Sequence, residues 1–100
     1  MKLLFICNQG INRSKTAEII FKYKFETKSA GLYNNLVTEK QIEWADAIFV
    51  MEDFQRNEIS KRFPKQYFKK RILSLEILDI CKFNQQELIE LLNKKMEIRN

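Results

Sequence analysis

Lys2-Leu3-Leu4-Phe5-Ile6-Cys7-Asn8-Gln9-Gly10-Ile11-Asn12-Arg13-Ser14 is a nearly unbroken apolar run that halts at Asn8 and passes through a polar loop into a periodic segment. A short apolar run bounded by Asn and Gly reads as a strand buried on both faces. Beyond it, Ala17, Ile20, Phe21 and Phe25 recur at three- and four-residue spacing, which predicts a helix over about 13–25. Strand, tight loop and helix make the first half of a βαβ unit.

The remaining chain continues the alternation. Glu26 to Ala30 is a short extended piece ending at Gly31. Thr38 and Gln41 have capping-box spacing, and Val37 with Ile42 has that of a hydrophobic staple, so a helix is expected from there to about Ala45. Ala47 to Met51 reads as a third buried strand, Asp53 as the cap of the next helix, and Pro64 as its stop after Phe63. Arg71 to Ile77 is a fourth strand, and Leu88, Ile89, Leu91, Leu92 and Met96 mark a terminal helix. The fold class is therefore α/β, a three-layer arrangement with a four-stranded parallel sheet, helices on both faces and right-handed crossovers. In such folds ligands bind beyond the carboxyl ends of the strands, here loops 7–14, 31–36, 51–54 and 76–83.

One hundred residues make a single domain, 1–100, and 45% apolar with 31% charged residues is ordinary globular usage. No apolar run is long enough to span a bilayer or to form a signal-peptide core, so the expected location is the cytoplasm, with both cysteines, Cys7 and Cys81, reduced. Without histidine, and with two cysteines far apart, no metal or other cofactor is implied. The net charge of +5 has one source: residues 1–60 hold eight charges of each sign, whereas Lys61, Arg62, Lys65, Lys69, Lys70 and Arg71 have no acidic residue among them. This run is expected mainly at the sheet edge opposite the catalytic one, as a solvated surface or a docking patch rather than a nucleic-acid groove.

The loop from Cys7 to Ser14 suits phosphoryl transfer to a thiolate. Successive amides of a tight loop at a helix N-terminus form an anion nest, and the same field favours negative charge on sulfur. The loop residues Asn8, Gln9, Gly10, Ile11 and Asn12 are the candidate phosphate cradle, closed by Arg13, whose planar fork matches phosphate oxygens. Gly10 permits a positive φ. Ser14 is placed to hydrogen-bond the sulfur and ease its departure from phosphorus. An aryl leaving group also needs a proton, and Asp79, just past the fourth strand, is the candidate acid.

These residues, with Lys28-Ser29-Ala30-Gly31, the run Trp44 to Glu52 followed by Arg56-Asn57, and Leu75-Glu76-Ile77-Leu78-Asp79 followed by Glu87-Leu88, resemble the short bacterial branch of the low-molecular-weight protein tyrosine phosphatases. The resemblance covers nearly the whole chain. It implies strand order 2-1-3-4, Cys7 as nucleophile, Arg13 as phosphate binder, Ser14 as support for the cysteine and Asp79 as general acid, acting on phosphotyrosine or a related aryl phosphate. The departures are specific. Gly10 stands where the family usually has Asn, Lys15 where Pro is frequent, and Leu78 and Ile80 flank Asp79 where Pro and an aromatic are common. Tyr33, after the second strand, is the candidate substrate wall in their stead; Phe54 is more simply a packing residue.

Two other readings remain open on the sequence. Arsenate reductases of similar fold resolve the loop cysteine with further cysteines, of which this chain has one, Cys81; a reversible Cys7–Cys81 disulfide would protect or silence the nucleophile. Alternatively, the loop binds a phosphate or phosphoprotein without turnover.

Overall fold

The computed structural model describes residues 1–77 and 85–99, so Asp79 and Cys81 lie outside the described residues. Four parallel strands, β1 (Lys2–Cys7), β2 (Glu26–Gly31), β3 (Ala47–Val50) and β4 (Arg71–Ser74), form one sheet in the order β2-β1-β3-β4. Five helices connect or follow them: α1 (Arg13–Phe21), α2 (Glu39–Trp44), α3 (Asp53–Arg62), α4 (Pro64–Tyr67) and α5 (Gln85–Arg99). The sheet order and the α/β class are those expected.

The continuous apolar runs divide by parity, because successive side chains of a strand point to opposite faces. Leu3, Phe5 and Cys7 of β1 join Ala47, Phe49 and Met51 in a core covered by Ala17 and Phe21 of α1 and by Leu88, Leu92 and Met96 of α5. Leu4 and Ile6 join Ile48 and Val50 in the opposite core, with Ile42 of α2, Ile59 of α3 and Ile72 of β4. Phe5 is the hinge of the first core, stacked on Phe21 at 5.7 Å and on Phe49 at 5.5 Å between ring centres.

The helix boundaries differ from expectation in instructive ways. α1 ends at Phe21, four residues early, in a last turn where the Phe21 carbonyl is shared by the amides of Lys24 and Phe25 at 3.1 Å, a pattern common at helix ends. That turn keeps Phe25 against the core without continuing the helix. The capping box of α2 is present as read, Gln41 N bonding Thr38 Oγ1 and Thr38 N bonding Gln41 Oε1. α3 is capped one residue earlier than expected, at Glu52, with Asp53 its first helical residue. Pro64 does end α3, and it also opens α4, where a missing N–H costs nothing. β4 is shorter than the predicted 71–77 because Glu76 turns left-handed, with φ 56°, yet the Leu75 and Ile77 amides still bond the Val50 and Met51 carbonyls.

The basic run is not one patch. Lys70 Nζ donates to the Glu43 and Ala45 carbonyls at 2.8 Å, completing the C-terminus of α2. Arg62 reaches the other way, its Nη1 2.5 Å from the Leu32 carbonyl, beyond the carboxyl end of β2. Lys61, Lys65, Lys69 and Arg71 are exposed.

Truncating the stacked ring tests this core: Phe5→Ala should cost roughly 3–5 kcal/mol in urea unfolding. Tyr23→Ala, at an 85% exposed position, should stay within about 0.5 kcal/mol.

Candidate active site

Cys7 ends β1, a central strand of the sheet, and Arg13 begins α1. The five residues between them bend the chain so that the Gly10 amide points back at the sulfur, 3.2 Å from Cys7 Sγ. Ser14 Oγ, fully buried in the first turn of α1, stands 3.0 Å from the same sulfur. The loop thus brings two polar groups to one buried thiol.

The bend depends on glycine twice. Gly10 has φ +70°, a left-handed conformation that costs other residues strain. A Cβ there would lie 2.7 Å from the Gly31 nitrogen and 2.8 Å from the Ala30 carbonyl carbon; a Cβ on Gly31 would meet the Asn34 carbonyl, the Gln9 carbonyl carbon at 2.6 Å and the Gly10 nitrogen at 2.7 Å. These are the two glycines of the chain, packed backbone to backbone.

The segment after β2 then ties the loop down. Leu32 N bonds the Cys7 and Asn8 carbonyls at 3.1 and 3.0 Å, Tyr33 N bonds the Asn8 carbonyl at 2.9 Å, and Asn35 Nδ2 bonds the Gln9 carbonyl at 3.0 Å. Asn35 itself is left-handed, φ 49°, a conformation asparagine tolerates well.

Arg13 is buried, and its Nη1 donates to Glu52 Oε2 at 3.0 Å and to the Ile77 carbonyl at 2.5 Å. The carboxylate compensates a guanidinium that burial alone would penalise, and two anchors from different loops fix its plane. Cys7, Asn8, Gln9, Asn12 and Arg13 line a hollow of about 30 Å³. That is far below the roughly 300 Å³ or more of pockets that engulf a drug-sized ligand, so it suits a compact group. A larger hollow, about 300 Å³, lies at the far end of α1 between Phe21, Phe25 and Met96, with Lys24, Asn93 and Glu97, and is lined by no thiol or hydroxyl. Chemistry therefore points to the smaller one.

No family model matches this sequence, and no curated protein matches it. Solved structures do match. The low-molecular-weight protein tyrosine phosphatase from T. tengcongensis superposes with a TM-score of 0.79 at 18% identity, covering 100% of this chain and 99% of that one. The Erwinia amylovora tyrosine phosphatase AmsI gives 0.78 at 18% identity, covering 96% and 88%. The YwlE arginine phosphatase from Geobacillus stearothermophilus gives 0.73 at 19% identity, covering 98% and 92%. Another match is a YwlE arginine phosphatase mutant with a phosphorylated active site serine, TM-score 0.76 at 18% identity, covering 100% and 97%.

This chain has the low-molecular-weight protein tyrosine phosphatase fold. Within that fold, the structure gathers Cys7, Asn8, Gln9, Asn12 and Arg13 at one hollow, with Gly10 and Ser14 at the sulfur. Ile11 turns its side chain outward, 53% exposed, and Tyr33 is 57% exposed on the segment bonded to Asn8. Arg62 lies beside that ring, its guanidinium carbon 5.6 Å from the ring centre. Asp79 and Cys81 fall outside the described residues, as does any contact between Cys7 and Cys81.

Three contributors were not read from sequence: Glu52, Asn35 and Gln55. Gln55, fully buried, accepts the Met51 and Glu52 amides on Oε1 and donates from Nε2 to Asn8 Oδ1 at 2.8 Å. The spacing Glu52-x-x-Gln55 is a local signal for the backward reach of that side chain, but nothing local points to Asn8, 47 positions away.

Gly31→Ala tests the backbone packing. It should destabilise the protein by more than about 1 kcal/mol, and loop amides 8–13 should shift in nitrogen–proton correlation spectra, whereas an unchanged loop spectrum would refute the contact.

Proposed function

We propose that this protein is a cysteine-dependent phosphatase that hydrolyses aryl phosphate monoesters through a phosphocysteine on Cys7. The observation that carries the reading is the setting of one sulfur: Cys7 Sγ has Ser14 Oγ at 3.0 Å and the Gly10 amide at 3.2 Å, on a hollow that Arg13 also lines.

In the first step the Cys7 thiolate attacks phosphorus opposite the ester oxygen. The S–P bond forms as the P–O bond breaks, and the departing aryloxide takes a proton, which we assign to Asp79. Arg13 and the loop amides of residues 8–12 hold the phosphoryl oxygens, where charge redistributes during transfer. In the second step water gives its proton back to Asp79 and attacks phosphorus. The S–P bond breaks, orthophosphate leaves, and the thiolate returns to the hydrogen bonds of Ser14 and Gly10. A phosphorylated active-site serine in one fold neighbour supports a covalent intermediate at the corresponding step.

A hollow this small would take at most the phosphoryl group and leave the rest of a substrate outside it. There it finds the apolar Ile11 and the ring of Tyr33, surfaces suited to an aryl group. Fold neighbours include both tyrosine and arginine phosphatases. The Arg62 guanidinium that lies beside Tyr33 is paired with Glu58 at 3.1 Å, so it is the exposed ring, a stacking face, that favours an aryl leaving group. A phosphotyrosine protein is accordingly the favoured partner.

Four proteins, two phosphorylated substrates and arsenate test the proposal. Wild type should hydrolyse an aryl phosphate faster than phosphoarginine, Cys7→Ser should lose turnover while still binding inorganic phosphate, and Asp79→Ala should lose roughly 10²- to 10⁴-fold in kcat. Phosphate binding with no wild-type turnover would instead identify a binding module. Unchanged kcat in Asp79→Ala would remove Asp79 from the mechanism, and arsenate-dependent thiol consumption abolished by Cys81→Ser would favour a reductase.

A further inference from the structure

Gln55 has no exposed surface and makes three hydrogen bonds of 2.8–2.9 Å to three different residues. Two of its partners are the backbone N–H groups of Met51 and Glu52, which can only donate. They dictate which end of the Gln55 amide faces them: Oε1 must. The Nε2 end is thereby turned to the loop, and its partner on Asn8 must be an acceptor, Oδ1. The orientation of one loop amide is thus set by rigid backbone at the end of β3, passed on through one buried side chain.

An asparagine amide can present either oxygen or NH2, and an anion distinguishes sharply between them. Asn8 lines the hollow that carries the phosphatase reading. With its oxygen held by Gln55, what Asn8 can offer an anion is its NH2. We propose that Gln55 is a positioning residue that sets the polarity of the Asn8 amide, so that Asn8 serves as a hydrogen-bond donor to bound phosphate. Gln55 also holds the amide of Glu52, whose carboxylate pairs with Arg13, so the same side chain stands behind a second element of the site. This inference rests on the anion-binding reading of the loop but not on turnover.

The experiment is a double-mutant cycle with inorganic phosphate as probe, its dissociation constant read from the amide shifts of residues 8–13. Asn8→Ala should weaken phosphate binding roughly tenfold in the wild-type background, the worth of one hydrogen bond to a charged partner. In Gln55→Met, which keeps the bulk and removes the hydrogen bonds, binding should fall at least as far, and adding Asn8→Ala should cost nothing more. A role confined to packing would lower the melting temperature without this coupling. The proposal fails if Gln55→Met binds phosphate like wild type, or if Asn8→Ala costs the same in both backgrounds. Should Gln55→Met not fold, Asn8→Ala alone decides, since it leaves the Met51 and Glu52 contacts intact; wild-type affinity in that variant overturns the proposal. Aryl phosphate hydrolysis on the same proteins separates the two ideas. Phosphate losses without wild-type turnover sink the phosphatase reading alone, and normal turnover with no phosphate losses sinks the role of Gln55 alone.

Discussion

Where Gly10 passes Gly31, backbone packs on backbone with no space for a Cβ on either side. That contact lets the loop after β1 fold back over the end of β2 instead of arching into solvent. Once it is folded back, the Gly10 amide reaches the sulfur of Cys7, and the segment from Leu32 to Asn35 can bond the carbonyls of residues 7–9. A chain that spends both its glycines at one crossing has put its conformational freedom where the site needs it.

Charge follows a similar economy of placement. The sequence excess of +5 comes from residues 61–71, yet the anion-binding role proposed for the loop would draw on amides, the start of α1 and a single guanidinium. Arg13 is held by Glu52 and the Ile77 carbonyl, so its orientation is set before any ligand arrives. Within the basic run, Lys70 closes α2, and Arg62 reaches the segment that carries Tyr33. The surface reading of that run holds for its exposed members, and the expected placement at the opposite sheet edge fails for Arg62.

What could be read in advance was what local chemistry decides. The burial of Lys2 to Cys7 and Ala47 to Met51 as strands, the capping box at Thr38 and the freedom of Gly10 to take a positive φ all follow from local residue types. The end of α1 did not, since Phe21 and Phe25 both fit the helical spacing and only the turn at Lys24 separates them. Glu52, Asn35 and Gln55 were invisible for a different reason: each acts on a loop far away in sequence, Asn35 through a contact that needs β1 and β2 paired, Glu52 and Gln55 through contacts that need β1 and β3 paired. Asn is usual in the family at the position of Gly10, where its side chain can brace the loop. Here the bracing comes from outside, through Asn35 on the Gln9 carbonyl and Gln55 on Asn8.

The proposed mechanism turns on one atom, Cys7 Sγ, to which it assigns the covalent bond to phosphorus. Mass spectrometry of protein denatured during turnover of an aryl phosphate addresses that directly. The account predicts a phosphoryl group on the peptide containing Cys7 and none in Cys7→Ala; hydrolysis with no adduct, or with the phosphoryl group on another residue, would contradict it.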